Sequence, residues 1–286
     1  MKSFFRGFFL TILIVALIAG GAFFFTSGSV PFLGGPSSMD VLVVGVDALN
    51  QNKKGVRSDV MMIVHMDLEG KGVSLFSVPR DTRTKISGRK HKEKMNHAYA
   101  YGGIEKTLET VNNRLGLNLE KYVVVDYGFV EHMVDMMGGV DVNVPMAMHY
   151  EDPTADPPLL IDLQPGEQTL DGAHAIQFLR FRKGYANADL GRVEAQQQFM
   201  ASALAKLKSP MTVLKAPLYY MAFRDETNSN LTTKDLLAIG RLATGLSREN
   251  ISHQTLPGSP KMISHVSYFI LDDDATDELF RSRGMK

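Results

Sequence analysis

The chain contains no cysteine and no tryptophan, and its 31 basic residues are balanced by 31 acidic ones. Without cysteine there can be no disulfide framework, no thiolate zinc site and no cysteine nucleophile. A formal charge of zero supplies no overall field to draw nucleic acid or a membrane surface. The eight histidines show no HExxH or related ligand spacing, so a zinc hydrolase is not indicated. Nor does any Gly-x-Ser-x-Gly elbow point to a serine hydrolase. The missing tryptophan decides nothing.

What is present begins with nineteen uncharged, mostly apolar residues from Gly7 to Phe25. As a helix this run would span about 28 Å, close to a hydrocarbon core of about 30 Å. Lys2 and Arg6 precede it and no acid does, which leaves a short N-terminus in the cytoplasm and the remainder outside. The alternative is a cleaved signal peptide. Against it, the apolar run is long for an h-region, and Ala22 leads into three phenylalanines rather than a small-x-small site. The expected organisation is therefore a cytoplasmic end at 1–6, a transmembrane signal anchor at 7–25, and a Gly/Ser/Pro-rich linker at 26–38. One extracytoplasmic domain over 39–286 would follow, large enough to bury a core without disulfides.

Within that domain, Asp40–Val46, Val60–Met66 and Val73–Val78 are short β-branched apolar runs that predict buried strands. Gly103–Leu115 carries Ile104, Leu108, Val111 and Leu115 at helical spacing, with Gly116 placed to end it. A strand at Tyr122–Val125, a helix at Phe129–Met137 and a strand at Val140–Val144 continue the alternation. The second half is more helical, with Asp171 capping a helix to Phe181 and a long helix over Asp189–Leu207 bearing Val193, Phe199, Ala203 and Leu207 on one stripe. A helix over Thr233–Leu246 and a strand over Ile251–Leu256 complete it. The acidic tail Asp272–Asp277 reads as solvated surface. This pattern predicts an α/β class fold: a single α/β/α sandwich-like domain with a mixed central sheet, preceded by one transmembrane helix.

The residues able to do chemistry are concentrated. Asp47 and Asp59 bracket a strand end and Arg57, and Ser77-Val-Pro-Arg-Asp-Thr82 closes another strand. Downstream lie Arg180-Phe-Arg182, Asp189, Arg192 and Gln196. Carboxylates suit a hard cation and arginines grip phosphate oxygens through two parallel hydrogen bonds, so the set suggests a diphosphate site. Asp189, Arg192 and Gln196 would share one face near a helix N-terminus, where anions are favoured. Plainer readings exist for each: Asp47 as a turn residue, Arg80 and Asp81 as a structural ion pair, Asn96 and His97 as a cap for the helix that follows.

Taken together, the ordered motifs resemble the LytR-CpsA-Psr family. They are Gly45-Val-Asp47, Arg57-Ser-Asp59, Ser77-Val-Pro-Arg-Asp-Thr82, Lys94-Met-Asn-His-Ala-Tyr99 with Gly102-Gly103, and Asp135-Met-Met-Gly-Gly-Val140. They continue through Gly166-Glu-Gln-Thr-Leu-Asp-Gly172, Arg180-Phe-Arg182, and Asp189-Leu-Gly-Arg192 with Gln196-Gln197. The resemblance implies a membrane-anchored phosphotransferase that moves a glycopolymer, such as a teichoic acid or capsule, from a polyprenyl-diphosphate carrier to a peptidoglycan acceptor. It further implies Mg²⁺ held by Asp47 and Asp59, and a pyrophosphate gripped by Arg57, Arg80, Arg180, Arg182 and Arg192 within a polar shell completed by Asp189 and Gln196. The polyprenyl tail would occupy an apolar pocket. Many members carry arginine just before the glutamine pair where this chain has Ala195, so one basic contact is missing or comes from Arg83 or Lys94. Asp81, beside Arg80, is the candidate general base. The protein would sit in the cell membrane as a single-pass protein with its C-terminal domain outside, and no nucleic acid is expected as a partner. A pyrophosphatase and a non-catalytic polyprenyl-phosphate-binding regulator are the alternatives.

Overall fold

A computed structural model describes residues 37–46, 55–153, 158–181, 215–246 and 248–286, with helical positions 195, 198–199, 202–203 and 205–206. The expected transmembrane span and most of the linker lie outside the described residues, and no helix among the described residues is long and apolar enough to cross a membrane.

The three apolar runs form β1 (Ser38–Val46), β2 (Ser58–Asp67) and β3 (Gly72–Ser77). A small hairpin of β4 (Arg83–Lys85) and β5 (Lys92–Lys94) leads into α1 (His97–Leu115). Then come β6 (Lys121–Val125), α2 (Tyr127–Met136), β7 (Val140–Val144), β8 (Met148–Asp152), β9 (Leu159–Leu163) and β10 (Gly166–Leu170). The remainder comprises α3 (Gly172–Arg180), α4 (Ala216–Glu226), β11 (Asn228–Ser229), α5 (Thr233–Gly245), β12 (Ile251–Thr255), β13 (Gly258–Ile263), β14 (Val266–Leu271) and α6 (Asp273–Arg281).

Six strands make the central sheet in the order β11-β6-β1-β2-β3-β12. It is mixed, because β1 runs parallel to β6 and β3 parallel to β12, while β2 is antiparallel to both of its neighbours. Successive side chains of a strand point to opposite faces, and both faces here are apolar. Leu42, Val44, Met61, Ile63 and Phe76 pack with Val111 and Leu115 of α1 and Phe280 of α6. Val41, Val43, Val60, Met62 and Val64 pack with Phe129, Val130 and Met133 of α2 and with Phe178 of α3. The sheet is thus buried between two helical layers. Helical residues Ala195, Phe199 and Ala203, four apart, are also buried in the second core.

Two expectations are corrected. The acidic tail is not mere solvated surface: Asp272 caps α6 by accepting from the Ala275 amide at 3.0 Å, and Phe280 is fully buried against Phe76 at 5.5 Å. Acids in a first helical turn are favoured by the helix dipole, so the same residues that look like a tail start a docked helix. Asn96, in turn, does not cap α1 with its side chain, because its backbone is already helical (φ −65°, ψ −14°) rather than extended as a capping residue requires.

Glycine explains two of the motifs. Gly103 sits at φ 60° in a break within α1, so the helix expected from Gly103 onward is the regular part. At Gly172 an added Cβ would overlap the backbone of Glu131, so α3 can approach α2 closely only without a side chain there. The Gly172 amide also donates to Asp135 at 2.7 Å, joining the two motif segments directly.

Candidate functional site

The polar residues gather where strands end. Gly45 of β1 is level with Val125 of β6, Val46 with Ser58 at the start of β2, and β3 finishes at Ser77 on the same side. Because β2 is antiparallel to β1 and β3, its beginning and their ends share one edge. Ligand sites of open α/β sheets lie beyond the carboxyl ends of strands, and this edge carries Arg57, Asp59, Arg80, Asp81, Asp126 and Tyr127.

The Pro79–Thr82 turn is fixed by its backbone. The Thr82 amide donates to the Pro79 carbonyl at 2.9 Å, closing the turn. Amides of Asn96, Met95 and Phe269 donate to the carbonyls of Arg80, Thr82 and Asp81 at 3.1, 2.9 and 2.9 Å. With its main chain held from two directions, the turn projects two adjacent side chains at defined neighbours. Arg80 donates from Nη1 to Asp59 Oδ1, and Lys94 Nζ lies 2.9 Å from Asp81 Oδ1. Beneath the turn, Thr82 Oγ1 and Asn96 Oδ1 are buried without a hydrogen-bond partner among the described residues.

A second cluster adjoins the first. Glu93 accepts from the Tyr101 hydroxyl at 2.6 Å and from Arg89 Nε at 2.9 Å, with His97 Nδ1 at 3.1 Å. The Tyr101 hydrogen bond above all, with His97 and Arg89 adding, outweighs desolvation and holds the Glu93 carboxyl at about 2. The Arg89 guanidinium lies over the Tyr101 ring at 4.3 Å. The charge of Arg57 also acts on the Tyr101 hydroxyl, which ties this cluster to the start of β2.

On the other side of the edge, Asp126 caps α2 through the Phe129 amide at 3.0 Å. Arg180, the last residue of α3, lies over the Tyr127 ring at 4.9 Å. Burial pushes the Glu131 carboxyl up, and the charges of Asp135, Asp171 and Asp126 push it further.

Of the residues named from sequence, Arg57, Asp59, Arg80 and Asp81 come together, and Arg180 stands on Tyr127 just beyond β6. Asp47, Arg182, Asp189, Arg192 and Gln196 lie outside the described residues. Ala195 faces the core, and Lys94 stands beside Asp81. The reading of Arg80 and Asp81 as a pair with each other does not hold, since each is held by a different partner. Sequence reasoning missed Glu93 and Tyr101; the spacing of Arg89, Glu93, His97 and Tyr101, four apart, was the available signal. A polar cleft of about 440 Å³ over β7 and β10, lined by Asp141, Asn143, Glu167 and Gln198, includes none of the predicted residues.

Comparison with known proteins agrees with this geometry. TagV of Bacillus subtilis (strain 168), named polyisoprenyl-teichoic acid–peptidoglycan teichoic acid transferase, is 29% identical over 240 residues, covering 83% of this chain and 61% of TagV. This chain therefore spans less than two thirds of TagV. TagU of the same organism, named for the same activity, is 28% identical over 239 residues, covering 84% of this chain and 74% of TagU. The crystal structure of B. subtilis TagV superposes with a TM-score of 0.67 at 24% identity, covering 87% of this chain and 97% of that one, which establishes a shared fold. The model of the LytR_cpsA_psr family matches residues 34–283, and the chain belongs to that family.

Proposed function

We propose that the protein is a transferase that moves a glycopolymer from a polyprenyl-diphosphate carrier to peptidoglycan at the outer face of the cell membrane. One observation carries the reading: the Asp59–Arg80 and Asp81–Lys94 pairs meet at one sheet edge, in a family whose relatives TagV and TagU are named as teichoic acid transferases. A pyrophosphodiester carries about two negative charges, and its cleavage loads further charge on the leaving phosphate, so positioning and electrostatic stabilisation supply most of the catalysis.

In this reading an acceptor hydroxyl oxygen attacks the glycan-side phosphorus. The bond from that phosphorus to the bridging oxygen breaks, and polyprenyl phosphate leaves with the electron pair. Asp81 takes the hydroxyl proton, and Lys94 keeps its carboxylate aimed. Arg57, Arg80 and Arg180, with Arg182 and Arg192, hold the non-bridging oxygens, and Asp189 and Gln196 complete the shell. Asp59 is a hard oxygen donor beside a phosphate-binding arginine, which fits Mg²⁺; Asp59 and Asp47 would hold the ion, and it would neutralise charge on the diphosphate.

The test is product analysis with full-length protein in detergent, Mg²⁺, a synthetic polyprenyl-diphosphate glycan and peptidoglycan oligomers. Glycan covalently joined to peptidoglycan, lost in Arg80→Ala, supports the reading. Glycan released only as a phosphate would instead make the protein a pyrophosphatase, and binding without turnover would make it a regulator.

A further inference from the structure

The β4–β5 hairpin has an unusual charge arrangement. In its antiparallel register Arg83 is opposite Lys94, Thr84 opposite Glu93, and Lys85 opposite Lys92. Residues two apart on a strand share a face, so Arg83, Lys85, Lys92 and Lys94 form one cationic face while Thr84 and Glu93 occupy the other. Like charges directly opposite each other destabilise a ladder, and here two of three rungs carry such a pair. A chain with no net charge has concentrated cations where the local fold disfavours them.

The four are not equivalent. Lys94 is bound to Asp81, and Arg83 lies over the Tyr268 ring at 5.7 Å. Lys85 and Lys92 are exposed and have no acidic partner among the described residues. The face therefore starts at the candidate site and runs outward, with rungs about 7 Å apart. It is also held still: Ile86 is fully buried, the Arg89 amide donates to the Ile86 carbonyl at 3.0 Å, and Glu93 on the opposite face is fixed by Tyr101, Arg89 and His97.

We propose that this face is a subsite for the glycan portion of the donor, and that it selects a glycopolymer whose repeats carry phosphodiester anions. The inference rests on the transfer reading above and adds the substrate's charge class to it. Outward-pointing lysines suit a repeating polyanion, because their compact, flexible charges do not demand one fixed geometry. An anionic membrane is the competing ligand, but a surface-docking element presents apolar side chains beside its cations. The exposed residues of this hairpin, Lys85 and Ser87–Lys92, include no large apolar one.

The experiment uses full-length protein in uncharged detergent and two variants, Lys85→Gln/Lys92→Gln and Lys85→Glu. Soluble poly(glycerol phosphate) fragments are the binding probe and uncharged dextran fragments the control. Both variants should bind the polyanion about tenfold more weakly and with a shallower salt dependence, with no change toward dextran. Lys85→Glu should unfold no earlier than the parent, because it replaces a repulsive rung by an attractive one. Transfer from a donor with an uncharged glycan should be unaffected. Equal polyanion binding by all three proteins overturns the proposal, as does an equal loss with the uncharged donor. A loss confined to vesicles of anionic phospholipid reassigns the face to the membrane and also overturns it. Polyanion binding by a parent protein that transfers no donor would defeat the transfer reading and leave the subsite standing; transfer without binding would do the reverse.

Discussion

Arg80 reaches across from the turn after β3 to the carboxylate of Asp59 at the start of β2. The two strands are adjacent and antiparallel, so this contact joins a residue assigned to phosphate with one assigned to a metal. Arg80→Ala should lower transfer by about 10²–10³-fold, the cost typical of removing one transition-state donor. Arg80→Lys should recover little, since a lysine cannot make the forked contact. Folding stability should change little, the pair being partly exposed. Product formation and thermal unfolding, measured on the same preparations, check both statements.

Asp81 and Lys94 form the other pair of the turn. If Asp81 accepts the acceptor's proton, Asp81→Asn lowers kcat and removes the acidic limb of the pH–rate profile. A fall in rate with an unchanged profile would reduce Asp81 to a partner that positions Lys94.

At Gly172 the requirement is steric. Gly172→Ala forces α3 away from α2 and should cost about 1–3 kcal/mol, as overpacking of a tight contact does. Since α3 ends at Arg180, activity should fall along with the unfolding midpoint. A variant as stable as the parent would show that the two helices can separate freely.

Glu93 predicts a pH dependence. Its folded carboxyl sits at about 2 against an ordinary value of 4.5, so the fold favours its ionised form. The stability it contributes is complete above about pH 4.5 and is lost as pH falls towards 2. Glu93→Gln should therefore flatten the acid limb of the stability curve in that window, by a small amount because the cluster is largely solvated. Urea titrations across this range provide the measurement.

Much of this was readable before any coordinates. The strands β1, β2 and β3 announced themselves because a sheet covered on both faces needs continuous apolar runs. Gly116 and Asp171 ended and began helices where their local chemistry demands. The hairpin of β4 and β5 was invisible for the opposite reason: three-residue strands made mostly of cations have no apolar alternation to detect. The partnership of Asp81 with Lys94 depends on that hairpin's geometry and so could not be read from spacing. Three consecutive aspartates at 272–274 masked α6, whose evidence is a single buried phenylalanine seven residues later. The arginines were found by type and order, whereas their partners required the fold.

The turn that carries Arg80 and Asp81 takes one of its backbone hydrogen bonds from Phe269 in β14, and Thr82 bridges to the same residue. Nearly two-thirds of the chain separates these contacts. During synthesis the amino-terminal strands emerge long before β14 exists, so the turn completes its shape only after the late segment has been made and has docked. Catalytic competence is thereby tied to completion of the polypeptide, and a truncated product lacking β14 would carry both charged side chains on an unfinished scaffold.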